Sequence, residues 1–268
     1  MNGIESAKRK VERAEEHLQA LPFKAAAYST DRSNFVVEEG NGEHKLRFVN
    51  QPPLEITILA GEIVYQLRSA LNHLAFELVK SNASNAALEK GWDRDCEFPL
   101  LLNIPTIGDS RVPRTKEQIF ELFRKKRLPG LTKKAFVVIE PLQPYNGGNG
   151  PTQLGWLAKL ANVDKHRHFH IVSQQAYQTE WVKSPRIDSE TLLRLQDGAK
   201  ILATLHSADE LADAVQVERT IDYPFISFEE SALPADVTDV PLDNVLELCV
   251  SAIERLVIPA FEKLVNNP

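Results

Sequence analysis

Arg68 and His73 lie five positions apart in Gly61–Lys80 (GEIVYQLRSALNHLAFELVK), a segment patterned as one long helix. A guanidinium neutralises a phosphate through paired N–H donors, and an imidazole moves protons near neutral pH. On a helix the two are about 140° and roughly 7.5 Å of rise apart. Arg68 therefore aligns with Asn72, and Ser69 with His73, each one turn on. The arginine is long enough to swing across that face. Such a set suits phosphate binding with proton transfer beside it, with Ser69 and Asn72 as supporting groups. It equally suits a structural polar network, because an unpaired buried charge is very costly and a buried arginine requires a partner.

A second constellation follows in Asn162-Val163-Asp164-Lys165-His166-Arg167. Asp164 is the expected partner of Arg68, His166 is placed to join His73, and Arg167 adds a binding cation. The cations also have a plainer role, since they fall where a helix ends and favour its dipole. His166, His168 and His170 alternate, so a strand would put all three on one side. Alternate strand positions point in parallel and do not converge on one ion, so neither a metal nor a cofactor is expected. Arg124, Lys125, Lys126 and Arg127 are the candidate phosphate-binding groups.

The elements that must position these groups follow from periodicity and punctuation. Gly3–Leu21 is amphipathic and is expected to stop at Pro22. Ala26–Glu38 and Lys45–Asn50 read as strands joined through Gly40-Asn41-Gly42. Pro52-Pro53 opens the long helix. Within it, Leu59, Ala60, Ile63, Val64, Ala70, Leu71, Leu74, Ala75 and Leu78 fall within about 80° of Leu67 and form its core half. Between Glu62 and Phe76 the other half has no lysine and carries Tyr65 and Phe76, so it is made for contact. Asn82–Pro113, with Trp92 and Cys96-Glu97-Phe98-Pro99, is an ordered excursion. Helices follow at Thr115–Lys126, capped by Thr115, at Thr132–Glu140 and at Pro151–Asn162, with Gln143–Pro151 (QPYNGGNGP) as the most flexible stretch. Short strands are expected at Phe169–Ser173, Leu192–Leu195, Lys200–Leu205, Ala214–Ile221 and Phe225–Phe228. Val240–Val265 closes as a helix that Pro259 should kink or divide. The resulting fold class is α+β: one domain, 1-268, with a helical core centred on 53-82, 115-163 and 240-265 and an antiparallel sheet from 26-50 and 167-229.

Arg68-Ser-Ala-Leu-Asn-His73 resembles the R-x4–6-H signature of HEPN domains, the higher eukaryotes and prokaryotes nucleotide-binding domains. The resemblance implies a helical bundle, a homodimer, and a metal-independent endoribonuclease or RNA-binding protein of a toxin or phage-defence system. Arg68 and His73 would be the catalytic pair and the RNA 2′-hydroxyl the nucleophile. Where that family commonly has a polar residue such as Asn directly after the arginine, this chain has Ser69. A wider resemblance, from Val11 to about Val172, is to a group of bacterial proteins that share LRSALNHL, QPYN and NVDKHR; it implies no activity.

With 268 residues, 43% hydrophobic and 25% charged, the chain has ordinary globular values. A net charge of −6 argues against indiscriminate nucleic-acid binding. The charge is polarised. Arg111–Lys134 holds nine basic and two acidic residues, and Asp209–Glu247 eleven acidic and one basic. Cys96 and Cys249 are isolated, which gives neither a disulfide framework nor a metal spacing. No apolar run approaches a membrane span and the first residues lack a signal-peptide core, so a cytoplasmic location is expected. GGNGP lacks the context of a phosphate loop, and GxSxG and HExxH do not occur. Two readings therefore stand: an HEPN-like ribonuclease or RNA binder, and a non-catalytic binding or assembly protein whose polar cluster fixes helix packing.

Overall fold

The computed structural model describes residues 2–40, 43–82, 96–108, 111–149, 151–166, 171–184, 201–203, 215–228 and 240–266. Helix α1 spans Gly3–Thr30 and α2 spans Leu54–Asn82. Between them a hairpin pairs β1 (Phe35–Gly40) with β2 (Glu43–Phe48). Helices α3 (Lys116–Lys126), α4 (Lys133–Ile139) and α5 (Thr152–His166) follow. The strands β3 (Ile171–Ser184), β4 (Ile201–Ala203) and β5 (Val215–Phe228) precede α6 (Leu242–Ala252), a π-helical turn (Ile253–Val257) and α7 (Ile258–Asn266).

The chain divides into two compact units. The first, Met1–Lys24, Pro53–Ile171 and Phe228–Pro268, holds the helical core. Its axis is α2, which packs against α5, α6 and α7. Ile56, Ala60, Ile63, Leu67, Ala70, Leu71 and Leu74 are fully buried, as the 3.6-residue period requires. Phe98 and Phe261 close the core with ring centroids 5.7 Å apart. Thr115 caps α3 in a reciprocal capping box with Gln118, and Thr132 caps α4.

Three local expectations change. Helix α1 runs through Pro22 to Thr30. A proline costs one backbone hydrogen bond and a steric clash, and the buried Leu21 and Tyr28 carry the amphipathic pattern past it. Pro259 is preceded by the π turn, so the interruption comes as a wide turn upstream of the proline. The QPYN stretch is tied down: Gln143 is fully buried, Asn146 donates to the Glu140 carbonyl at 2.7 Å, and the Tyr145 N–H donates to the Leu101 carbonyl at 3.0 Å. Gly147, at φ 58°, makes the turn that follows.

The second unit is Ala25–Pro52 and Val172–Ser227. Phe35 pairs with Phe48 and Gly40 with Glu43 in the antiparallel hairpin. Tyr28 Oη donates to the Asn50 carbonyl at 2.6 Å. Strands β3, β5 and β4 lie in that order, with Ile201 opposite Arg219.

The expected fold, α+β with a helical core completed by an antiparallel sheet drawn from 26-50 and 167-229, is corrected. The core-bearing unit is built of helices and turns. Among the described residues the two groups of strands do not join, since β1 and β2 pair with each other and not with β3, β4 or β5, and residues 26–30 are helical. The physical reason is that the core helices bury their apolar faces on one another, while the strands pair locally within their own groups. The expected strand Leu192–Leu195, Trp92 and the alternating His168 and His170 lie outside the described residues.

Candidate functional site

The polar half of α2 is divided between two neighbours. Along one edge α1 runs antiparallel to it. Lys24 Nζ meets Glu55 at 2.7 Å, His17 meets Glu62 at 3.5 Å, and Lys10 sits 5.7 Å from the Tyr65 ring centroid. Ser6 Oγ and His73 Nδ1 share a hydrogen bond of 2.7 Å. The Gly3 N–H donates to Glu77 Oε2 at 2.8 Å. Each of these pairs steps back along α1 as it steps forward along α2, so the seam reads as a zipper. Its end is tight: a Cβ on Gly3 would lie 2.6 Å from both Glu77 Cβ and the His73 carbonyl oxygen. The buried Glu77 carboxylate thereby answers the free amides and positive dipole at the start of α1.

Along the other edge, α2 faces the segment that begins at Cys96. Asn72 Oδ1 accepts from the Phe98 N–H at 3.1 Å. Arg68 Nη2 lies 3.6 Å from Glu97 Oε2, and the second Glu97 oxygen pairs with Arg127 Nη1. The Glu97 backbone N–H donates to the Arg127 carbonyl at 3.0 Å. Glu97 therefore holds two arginines, one from α2 and one that caps α3. Burial, and then repulsion from Arg127, lowers the Arg68 guanidinium to about 10, so it stays charged at neutral pH. Its Nη1 is buried without a hydrogen-bond partner.

Arg68 and His73 are thus both near α2's polar face, but they are spent on different partners. His73 is held below its ordinary range by burial, with Lys10 adding to the effect, so the neutral imidazole is the resting form. Ser69 is half-buried beside this face. The carboxylate that answers Arg68 is Glu97, the place expected of Asp164, which is exposed on α5. His166 ends α5 and its side chain, like Arg167, lies outside the described residues. Arg124 pairs with Glu121 at 2.8 Å and Arg127 with Glu97, whereas Lys125 and Lys126 are exposed in the last turn of α3.

Ser6, Glu77 and Glu97 carry roles that sequence reasoning had not assigned. A signal existed for Glu97: an acid set among the apolar residues of Cys96-Glu97-Phe98-Pro99. None existed for Ser6, whose role depends on the pairing of α1 with α2. The thiols of Cys96 and Cys249 are both pushed up to about 12 by burial, which leaves them protonated and poor nucleophiles. Among the described residues no group of three His, Cys, Asp or Glu is placed to hold a metal, and no helix is long and apolar enough to cross a membrane.

Comparison of the chain with protein-family models, with curated proteins and with solved structures gives no match.

Proposed function

We propose that the chain is a non-catalytic helical binding or assembly protein in which Arg68, Asn72 and His73 form a packing network. One observation carries this reading: the three side chains engage Glu97, Phe98 and Ser6 separately and do not converge on a common space. A ribonuclease needs guanidinium and imidazole on one phosphodiester, because proton transfer requires hydrogen-bond reach. Here each group already serves a protein contact. A cytoplasmic location belongs to the same reading, since both thiols are free.

The HEPN-like reading keeps one support, the exposed Lys125 and Lys126 beside the Arg127–Glu97 pair. A homodimer that brings two Arg68/His73 sets together belongs to that alternative. The test is incubation of wild type and His73→Ala with single-stranded and structured RNA in chelator, each protein checked by thermal melting. The packing reading expects intact RNA with both and a lower melting temperature for His73→Ala. Cleavage by wild type that His73→Ala abolishes while staying folded would replace it with the ribonuclease. Sedimentation of wild type beside the assay reads the oligomeric state.

A further inference from the structure

Helices α1 and α2 lie side by side, and near one end the outer side of this pair is apolar. On α2, Leu54, Ile58 and Tyr65 fall within about 40° of one another, and Ile58 is about 180° round the helix from the fully buried Leu67. On α1, Phe23 is about 160° from the buried Leu21, so it too points away from the core. The Lys24–Glu55 pair sets Phe23 level with the first turns of α2. Phe23 is 79% exposed, Leu54 62%, Tyr65 61% and Ile58 49%. One exposed leucine needs no explanation, but two aromatic and two branched side chains on one face mark an interaction site.

We propose that a second copy of this chain covers this face, in an isologous dimer centred near Ile58. Three features select that occupant. The first is charge. Lys24 pairs with Glu55, His17 meets Glu62, Arg13 pairs with Glu16 and Arg9 with Glu12, so the rim carries no run of one sign to attract a nucleic acid, an anionic lipid or a charged peptide. A rim of one sign would also repel its own copy, and this one does not. The second is area. At these exposures the four side chains present roughly 400–500 Å² per copy. Two copies remove roughly 800–1,000 Å² of apolar surface, and with the polar share of an ordinary interface the total is about 1,500 Å², the size of a stable one. The third is form. An antiparallel helix pair has a flat outer side, and laid on its own copy about a two-fold axis it makes a four-helix layer. The dimer deepens the assembly reading and rests on it. It is not the dimer that joins two Arg68/His73 sets. Arg68 is ten residues from Ile58, so a two-fold there leaves the two copies of Arg68 about 30 Å apart.

The test is sedimentation velocity of the whole chain over a concentration series, with Ile58→Glu and Phe23→Glu beside wild type. Val137→Glu, at an exposed apolar position on α4, is the control. A reversible dimer is expected, weakened about tenfold or more by either face variant and unchanged by Val137→Glu, with the same circular dichroism throughout. Ile58→Cys should also cross-link to its own copy on oxidation, and Val137→Cys should not, a readout that does not require a charge on the face. A monomer at every concentration overturns the proposal, and intact RNA in the same sample leaves the packing role of Arg68, Asn72 and His73 standing. A dimer that a folded Ile58→Glu leaves intact overturns it as well. So does a monomer that floats with phosphatidylcholine vesicles, which would give the face to lipid.

Discussion

Glu97 is the residue whose removal has consequences on two elements. Without it, Arg68 remains charged and largely buried with no carboxylate, which for a broken buried pair costs about 3 kcal/mol. Arg127 is more exposed, and its loss should cost less than about 1 kcal/mol. Urea denaturation of Glu97→Ala and Arg127→Ala measures the gap, and equal costs would mean that Glu97 serves only the surface pair. Gly3 makes a sharper test because two principles give opposite signs. Alanine is favoured over glycine within a helix by about 1 kcal/mol. Here, however, its Cβ would press on the Glu77 Cβ and the His73 carbonyl at 2.6 Å, and neither is the loose end of a flexible chain. Gly3→Ala should therefore destabilise, by about 1–3 kcal/mol. A stabilised Gly3→Ala would show that the start of α1 does not hold to α2 this closely.

The α1–α2 seam is where element-scale behaviour appears. His73 titrates below its ordinary value in the fold, so the folded state binds fewer protons than the unfolded one just below the unfolded pKa. Its contribution is complete above about 6.5, falls as pH drops, and levels off beneath the depressed folded value. Protonation adds charge facing Lys10 of α1, while Glu77 one turn on is engaged by Gly3. Urea midpoints at pH 7.5 and 5.5 should differ more for wild type than for His73→Gln, which keeps a hydrogen-bonding group toward Ser6. An equal loss in both would assign the acid sensitivity to other groups. The long helices were legible because their apolar residues recur every 3.6 positions, and Thr115 and Thr132 announced their caps. The passage of α1 through Pro22 was not legible, because a local breaker was overruled by buried residues on either side of it.

At the scale of the molecule, periodicity identified which half of α2 is core, while its other half is a contact face only in part: Arg68, Asn72 and His73 meet protein partners, but Tyr65 and Phe76 are exposed. It did not identify the contacts. Glu97 and Asp164 are equally acidic in one dimension, and only the tertiary path decides which reaches Arg68. The sheet expectation failed for a related reason, since alternation predicts extended backbone but not which strands pair. The fold makes a distinct claim about where stability resides. Helix α2 is packed by α5, α6 and α7 and has fully buried residues from Ile56 to Ala75. Its amides should open only with global unfolding, since local opening is favoured where few buried contacts are lost. Among the described residues the β1–β2 hairpin pairs only with itself, and a two-stranded ribbon is marginal alone. Hydrogen exchange followed by mass spectrometry should give the slowest peptides in 60–75, with 35–48 exchanging far faster. Glu97→Ala should then lower protection across 60–75 uniformly, by the same free energy that urea reports. Accelerated exchange confined to the residues around Arg68 would mean instead that Glu97 secures a local contact and not the core axis.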